Sequence, residues 1–426
     1  MKDRVYQNFE VVDFTIFKTK MLNWMKPFSI SCLLDNHLYQ QKHTRAEWIA
    51  GVSQSTHHSH LLSPQYCFQE LQHLHETIPD WYLGHFNFEA NQQQPPEHPV
   101  AFPVAHFFRP DTIILLKDNQ LTIGSIVADP AEIFESIQAS APSAAAAEPA
   151  EVEIRCIETK ETFIQTIEAI QQHIQRGDCY EMNYCTAFYA ENACLDPLAL
   201  YLAISASNPS PFAAYYRYFD QYLISASPER FLQKKATVLR SQPIKGTIQR
   251  AADQQLDDRL QQQLLHSAKD QAENVMIVDL VRNDLSMVCK PGSVKVEEMM
   301  ALYSFPHVHQ LISTVTGELE NEKDWGKAIE KCYPMGSMTG APKKTVLALT
   351  EKFEKQPRGL FSGSIGYLQP DSDFDFNVVI RSILYNKQSG YVCFPAGAGI
   401  TIYSDAEKEW EECELKIANI KKVLAP

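Results

Sequence analysis

The chain has 426 residues, of which 45% are hydrophobic and 21% are charged, and its formal net charge at pH 7 is −14. This length allows a large core in one extended domain or in two to three ordinary ones. The negative charge argues against nucleic acid or an anionic membrane surface as a partner, because either would require a basic face.

The cysteines and the N-terminus restrict the class of protein further. The ten cysteines are scattered and form no C-x-x-C pair, so we expect reduced, mostly buried thiols rather than a zinc ribbon or a disulfide framework. The first residues, MKDRVYQNFE, lack the apolar core of a signal peptide, and no run approaches the roughly 20 apolar residues of a membrane span. The sequence therefore predicts a soluble, cytoplasmic protein.

In chain order, residues 1–140 predict strands and turns with some helix. Three segments rich in β-branched and aromatic residues predict strands: NFEVVDFTIF, FSISCLLD and DTIILLKDNQLTIGSI, the last with a hairpin turn at DNQ. An Ala/Pro-rich stretch follows, which predicts a surface loop over 141–152. We therefore divide the chain into an N-terminal region (1–140), this loop (141–152) and a C-terminal region (153–426).

The C-terminal region mixes helices with strands. The spacing of apolar residues in KETFIQTIEAIQQHIQRGD predicts a helix that ends at Gly177, and residues 406–424 predict an amphipathic helix. Buried strands are predicted for YLISASPERFL, FSGSIGYL, FNVVIRSILY and GYVCFPAGAGITI. Because the strands come in runs rather than in βα alternation, we expect an α+β fold, a sandwich of sheets with outer helices.

Two predicted helices present acidic pairs at i, i+3 spacing. Glu409 and Glu412 share a face with Lys416 in EWEECELK, and Asp270 and Glu273 precede an apolar run. Each pair alone is typical of a solvated helix face with ion pairs or of a capped helix end. If the two faces converge, they suit Mg²⁺, which binds a few carboxylates and retains water or substrate oxygens.

Two further segments place reactive or anion-binding residues beside predicted strands. In SQPIKGTIQR, Gly246 and Thr247 offer an unhindered N–H and a hydroxyl to a small anion, and Lys245 is a counter-charge, a nucleophile or a residue without a role. In SASPERF, Glu229 is a general acid if burial raises its pKa toward neutrality, or a surface residue paired with Arg230.

Seven motifs, in order, resemble those of the chorismate-utilising enzymes: PIKGT, ENVMIVDLVRND, GSMTGAPKKT, RGLFSGSIGYL, FNVVIRSIL, PAGAGI and EWEECELK. The resemblance covers residues 153–426 and extends weakly to PFSISCLLD in the N-terminal region. This family includes the large subunits of anthranilate and aminodeoxychorismate synthases, and the isochorismate and salicylate synthases. The resemblance implies one complex fold of two packed, mainly antiparallel β-sheets with outer helices, and it makes 153–426 the chorismate-binding catalytic domain.

The resemblance also implies roles for individual residues, by motif position. Glu273 and Glu412 correspond to carboxylates that contact Mg²⁺, and Asp270 and Glu409 to residues that support the ion through water. Glu229 corresponds to the proposed general acid that protonates the departing ring hydroxyl. The groups that hold the two substrate carboxylates correspond to Arg381, Lys416, Thr247 and the backbone of Gly246, Gly397 and Gly399.

Lys245 indicates the branch of the family, because the lysine of PIKGT is typical of component I of the aminodeoxychorismate synthases and other branches usually have alanine. The resemblance implies that this amine attacks ring carbon 2 as hydroxide leaves carbon 4, and that ammonia then adds at carbon 4 and expels the lysine. We expect burial or a neighbouring cation to depress the pKa of this lysine. The implied product, 4-amino-4-deoxychorismate, leads to p-aminobenzoate and folate.

The sequence has no G-x-C-x-G nucleophile elbow, so the resemblance implies a separate glutaminase subunit that supplies ammonia. Two alternatives remain: anthranilate synthase component I, and a catalytically silent relative that binds chorismate or tryptophan. Three residues depart from the family pattern. Glu181 replaces the water-activating lysine of isochorismate and salicylate synthases, Gln310 stands at a usual histidine position, and Phe361 replaces a frequent tyrosine.

Overall fold

The computed structural model describes residues 3–39, 42–43, 46–54, 56–142 and 152–424. Most of the predicted loop at 141–152 lies outside these residues, and the region boundaries on either side of it stay predictions. The described residues form 22 strands and ten α-helices. Among them, no helix is both long and apolar enough to cross a membrane.

The strands, in chain order, are β1 Val5–Phe9, β2 Ile30–Asp35, β3 Trp48–Ser53, β4 Ser59–Leu61, β5 Tyr82–Phe86, β6 Ala105–Phe108, β7 Thr112–Lys117, β8 Gln120–Ser125, β9 Arg155–Cys156, β10 Glu181–Ala190, β11 Phe212–Tyr218, β12 Gln221–Ser227, β13 Arg230–Lys235, β14 Val238–Gln242, β15 Ile244–Gln249, β16 Lys295–Ser304, β17 Val308–Glu318, β18 Gly340–Ala341, β19 Ser364–Leu368, β20 Phe374–Asn377, β21 Ser382–Asn386 and β22 Tyr391–Ile400. The helices are α1 Phe14–Met25, α2 Cys67–Thr77, α3 Pro130–Ala139, α4 Lys160–Gln175, α5 Pro197–Ser207, α6 Gln254–Leu265, α7 Ala268–Ser286, α8 Trp325–Cys332, α9 Lys343–Phe353 and α10 Ala406–Leu424.

These strands form two antiparallel sheets. The first sheet has the order β1-β8-β7-β3-β2-β11-β12-β21-β22-β10-β18, with β9 paired to β10. The second has the order β15-β17-β14-β13-β20-β19-β5-β6-β4, with β16 paired to β17. Both sheets combine strands from 1–140 with strands from 153–426. The predicted fold of two packed antiparallel sheets with outer helices is therefore confirmed.

Side chains that alternate along the strands fill two cores. Cys32 of β2 and Phe107 of β6 belong to a core that joins the two sheets. Leu33, the next residue of β2, belongs to a second core, in which the first sheet packs against helices that include α1, α4 and α10. Because successive strand residues point to opposite faces, the first sheet is covered on both sides.

Two segments that were predicted as single strands cross from one sheet to the other. In YLISASPERFL, β12 of the first sheet ends at Ser227 and β13 of the second begins at Arg230. In FNVVIRSILY, β20 of the second sheet ends at Asn377 and β21 of the first begins at Ser382, after four intervening residues. The breaks lie side by side, since the Val378 N–H donates to the Glu229 carbonyl at 3.0 Å and the Ala226 N–H donates to the Arg381 carbonyl at 3.2 Å.

This corner corrects the strand predictions and positions two site residues. Pro228 lacks a backbone N–H and cannot continue a hydrogen-bonded ladder, which fits the break after β12. Arg381 has φ +51°, a left-handed conformation that ends the pairing before β21. Glu229 and Arg381 are therefore brought together where the two sheets meet.

The remaining predicted elements are mostly confirmed. The strand predicted for NFEVVDFTIF is confirmed only at its first two residues, because β1 ends at Phe9. The Asp13 carboxylate then accepts hydrogen bonds from the N–H groups of Thr15 and Ile16 and so starts α1. The turn at DNQ is confirmed by positive φ at Asp118 and Asn119 between β7 and β8. The predicted helices at 160–177 and 406–424 are α4 and α10. The cysteines are free and mostly buried, as expected.

Candidate active site

Strands from both sheets converge on the amine of Lys245. Its Nζ atom lies 2.6 Å from Oε1 of Glu181, which begins β10, and 3.9 Å from Oε2 of Glu273 on α7. A Cβ atom placed on Gly399 of β22 would lie 2.8 Å from Glu181 Oε1 and 3.1 Å from Lys245 Nζ. The Lys245 side chain is 12% exposed. The amine is thus held inside the molecule, directly above a glycine that leaves room for it.

The charge state of Lys245 differs from the expectation. Burial alone would lower the pKa of Lys245, but the carboxylates of Glu181, Glu273 and Glu229 outweigh burial and raise its pKa. The predicted depression of the Lys245 pKa is therefore wrong. The sequence did not reveal that Glu181, which had no assigned partner, lies within hydrogen-bonding distance of the amine. Glu181 is also the nearest group that can accept a proton from Lys245.

Glu229 lies buried at the corner between the sheets. Burial raises the pKa of Glu229 to about 7, although the Ser337 hydroxyl and the charges of Lys245 and Arg381 partly oppose this. The surface alternative, in which Glu229 pairs with Arg230, is wrong, because Arg230 pairs with Asp375 at 2.8 Å. A carboxyl group with a pKa near neutrality can donate a proton at physiological pH.

Arg381 has an unusual environment for a cation. Burial lowers the pKa of Arg381, and nearby Glu229 opposes this effect. Among the described residues, the Arg381 guanidinium has neither a hydrogen-bond nor an ion-pair partner. A guanidinium in this state offers its donors to an anionic ligand, and bidentate binding of a carboxylate is the arrangement that its planar geometry favours.

The two acidic helix faces meet. The Lys269 ammonium lies 3.8 Å from Glu273 Oε1 on its own helix, α7, and 3.5 Å from Glu409 Oε1 on α10. One turn along α10, Glu412 Oε1 lies 2.7 Å from Lys416 Nζ. The convergence that the sequence left open is therefore present, with Lys269 as a counter-charge that the motif analysis missed.

The acidic side chains of α7 and α10 provide oxygen ligands, which a hard cation such as Mg²⁺ prefers. Oε1 of Glu273 and Oε2 of Glu409 are buried without a hydrogen-bond partner in the described structure. Burial raises the pKa of Glu273 to about 7, whereas Lys416 and other nearby cations outweigh burial and lower the pKa of Glu412. Over the described parts of the chain, no three His, Cys, Asp or Glu side chains are already grouped as a metal site. The all-oxygen donor set and the two buried oxygens without a hydrogen-bond partner in the described structure fit Mg²⁺.

Other predicted binding residues surround this site. The Gly246 backbone has φ +91°, and a Cβ there would lie 3.1 Å from Asp270 Cβ, which places Asp270 against the Lys245 turn. The Lys416 ammonium donates to the Gly397 carbonyl at 2.7 Å. The exposed Thr247 accepts a hydrogen bond at 3.3 Å from the amide of Gln310, whose own Oε1 is unpaired.

His309, beside Gln310, and Phe361, which departs from the family pattern, both have structural roles. Buried His309 faces away from Gln310 on β17, with its ring nitrogens 3.0 Å from Asp257 Oδ1 and 2.8 Å from Ser304 Oγ. Phe361 is 2% exposed and belongs to the core between the sheets. Ser337, which acts on Glu229, lies in the GSMTG motif, but nothing in the sequence paired it with that carboxyl.

Gly399→Ala is expected to lower turnover by on the order of 10²-fold, because the added methyl group would displace the Lys245–Glu181 pair. The variant should still fold, since the nearest atoms are the ends of two flexible side chains. Gly177→Ala, at an exposed helix end with no atom within 4 Å, is the control for activity and should retain the native rate, although φ +85° strains an alanine there and should lower the unfolding midpoint. Rates and thermal unfolding midpoints of both variants test this expectation, and native turnover of Gly399→Ala would contradict it.

A sequence profile of the chorismate binding enzymes matches residues 31–422. The chain is 33% identical over 360 residues to aminodeoxychorismate synthase component 1 of Klebsiella aerogenes. The aligned residues are 83% of this chain and 79% of that protein. It is 39% identical over 261 residues to the chloroplastic aminodeoxychorismate synthase of Arabidopsis thaliana, 61% of this chain but only 28% of the plant protein. The chain thus spans less than a third of that relative.

A solved structure shares the fold. The menaquinone-specific isochorismate synthase of Escherichia coli superposes with a TM-score of 0.79 at 18% sequence identity, covering 99% of this chain and 94% of that one. At this identity the likeness concerns the arrangement of the sheets and helices alone.

Proposed function

The chain belongs to the chorismate binding enzyme family, and we propose that it acts as component I of an aminodeoxychorismate synthase, which converts chorismate and ammonia to 4-amino-4-deoxychorismate. The observation on which this rests is the position of the Lys245 amine, 2.6 Å from a potential proton acceptor and close to Glu229 and Glu273. The names of the Klebsiella and Arabidopsis relatives support the same activity.

The first half of the proposed reaction uses three side chains. Glu181 takes a proton from the Lys245 ammonium, and the freed amine forms a bond to ring carbon 2. As the C4–O bond breaks, Glu229 gives its proton to the leaving hydroxyl, which departs as water. The Glu229 pKa of about 7 leaves a substantial fraction of this carboxyl protonated at neutral pH.

In the second half, ammonia adds at carbon 4 and the C2–N bond to Lys245 breaks. The nitrogen at carbon 4 keeps the three hydrogens of ammonia as an ammonium group, and Lys245 leaves as a neutral amine. Lys245 then regains its proton from Glu181. One turnover therefore returns every group to its starting state except Glu229, which has lost one proton.

Substrate and metal binding complete the proposal. The unpartnered Arg381 guanidinium, Thr247, Lys416 and the backbone near Gly246, Gly397 and Gly399 would hold the two carboxylates of chorismate. Glu273 and Glu412, supported by Asp270 and Glu409, would hold Mg²⁺, which supplies Lewis-acid stabilisation of developing negative charge when it is bound. The buried oxygens of Glu273 and Glu409 that have no hydrogen-bond partner in the described structure support this assignment.

Glu273→Gln is expected to raise the Mg²⁺ concentration needed for half-maximal turnover by on the order of tenfold or more, because an amide replaces an anionic ligand. Titration of turnover with MgCl₂ measures the shift. Glu411→Gln, an exposed change on α10, is the matched control and should leave the titration curve unmoved. A native Mg²⁺ curve for Glu273→Gln would remove this residue from the metal site.

The proposal also includes a partner. A separate glutaminase would supply ammonia in the cytoplasm, and the product would be a precursor of p-aminobenzoate and folate. The designation "component 1" of the Klebsiella relative supports a second component, without identifying it for this chain.

The proposed function is tested by incubating the purified chain with chorismate, an ammonium salt and MgCl₂, and identifying products by chromatography and mass. We expect 4-amino-4-deoxychorismate. Anthranilate with pyruvate would instead favour anthranilate synthase component I. Calorimetric binding of chorismate without any turnover would favour a catalytically silent regulator.

A further inference from the structure

A small cavity lies beside Glu229. It has a volume of about 20 Å³, and most of its lining is apolar, as at Val281 and Leu285. The polar side chains in the lining are those of Glu229, Arg230, Ser241, Asp284 and Ser337. Its lining residues are all buried. A polar cavity of this size can hold about one water molecule. Two carboxylic acids from different elements, Glu229 and Asp284, therefore line the same small cavity.

Asp284 connects this cavity to the outside of the protein. Its Oδ2 atom lies 2.6 Å from Nζ of Lys343, which also donates to the Cys332 carbonyl at 3.2 Å. The Lys343 side chain is 17% exposed and that of Asp284 is 6% exposed. Asp284 thus has a solvent-accessible ammonium on one side and the cavity on the other.

Both carboxyl groups exchange protons near neutral pH. Burial raises the pKa of Asp284 to about 6, although Lys343 opposes this, and burial raises the pKa of Glu229 to about 7. The groups that face Glu229 are Ser337, Lys245 and Arg381. A proton can move between two such acids through one water without a large free-energy difference between donor and acceptor.

The inference rests on the proposed function, because the proposed reaction requires a path by which protons reach Glu229 from solvent. The proton that Glu229 gives to the leaving hydroxyl departs in water, and the hydrogens of ammonia remain on the product. Glu229 must therefore gain one proton from solvent in every cycle. It is only 5% exposed.

We propose that Asp284 passes a proton through a water in this cavity to Glu229 and so restores the general acid after each turnover. The Asp284 carboxyl gives its proton to the water as the water gives one of its own to the Glu229 carboxylate. Asp284 then regains a proton from bulk solvent on the side that faces the partly exposed Lys343, whose ammonium stays charged. Asp284 does not touch the substrate in this scheme, and its effect is exerted through Glu229.

One test does not depend on the activity. A crystal structure of the full chain is expected to show an ordered water within hydrogen-bonding distance of both Glu229 and Asp284. A dry or collapsed cavity would overturn the relay, whatever the protein does with chorismate. A wild type that fails to aminate chorismate would instead count against the proposed function.

The kinetic test separates the first turnover from later ones. In Asp284→Asn, the first turnover measured by rapid quench should stay within about twofold of native, because Glu229 starts protonated, and the steady-state rate should fall by on the order of tenfold. Raising the concentration of a small buffer acid should partly restore the steady-state rate of the variant. Equal losses in both phases would show a merely structural role and overturn the relay.

Two further variants keep the kinetic test decisive. Val281→Ile adds a methyl group to the cavity wall and leaves Asp284 in place, so it should slow steady-state turnover in the same way even if Asp284→Asn folds poorly. Asp279→Asn, whose side chain is 67% exposed on the same helix, is the control and should behave as native. Unchanged steady-state turnover in a folded Val281→Ile variant that has lost the water would contradict the relay.

Discussion

Lys245→Ala is expected to reduce formation of 4-amino-4-deoxychorismate by on the order of 10³-fold or more while the chain still folds. In the proposed reaction the amine is the group that bonds to the ring, and among the described residues no other lysine is paired with Glu181. The rate is measured with saturating chorismate, ammonium and Mg²⁺. Lys235→Ala, an exposed change on strand β13 of the same sheet, should keep the native rate.

Removal of a buried cation also affects its partners, and a second variant accounts for this. Lys245→Ala leaves the Glu181 carboxylate, 6% exposed, without its ion pair, which is destabilising. Replacement of both residues, Lys245→Ala with Glu181→Gln, removes the unpaired charge. If the double variant regains stability but not activity, the loss of activity in Lys245→Ala is not a consequence of the unpaired charge. A native rate in either folded variant would exclude Lys245 from the reaction.

Glu229→Gln is expected to lower turnover by about 10²–10⁴-fold, because an amide cannot donate a proton to the leaving hydroxyl. The native enzyme should lose activity as pH rises through about 7, since only the protonated carboxyl is the acid and its pKa is raised to about 7. The pH profile of kcat/KM for the native chain and the variant measures both effects. A native-like rate with the same alkaline loss in Glu229→Gln would contradict the assignment.

Glu229→Gln should lower activity, but it should not lower the free energy of unfolding at alkaline pH. The folded-state pKa of Glu229 is raised, so its contribution to stability is present at pH values below about 4.5 and is lost as pH rises toward 7. The Gln side chain has no such loss. At pH 8, Glu229→Gln should therefore be at least as stable as the native chain, as measured by urea unfolding.

Much of the fold could be predicted because its signals are local. The helix α10 follows from one amphipathic repeat, and the turn between β7 and β8 follows from Asp118 and Asn119, which adopt positive φ readily. The sheet crossings at Glu229 and Arg381 could not be predicted in this way. The residues on either side of each crossing are equally apolar, so hydrophobic pattern gives no signal for which sheet they join.

The site was predicted less completely than the fold, and for a related reason. Motifs identified Lys245, Glu229 and the acidic helix faces, but their charge states depend on neighbours from distant parts of the chain. Glu181 lies 64 positions before Lys245 and reverses the expected direction of its pKa shift. Lys269 lies between the acidic faces of α7 and α10 without any sequence signal for that role.

The proposed activity places nitrogen on carbon 4 of chorismate. Its most direct test is NMR of the product formed from chorismate and ¹⁵N-ammonium with Mg²⁺, in which coupling identifies the carbon that bears the label. We expect ¹⁵N on carbon 4 of a product that retains its enolpyruvyl group, and almost none from Lys245→Ala. Label on carbon 2 with release of pyruvate, or the absence of any labelled product from the folded wild type, would contradict the claim.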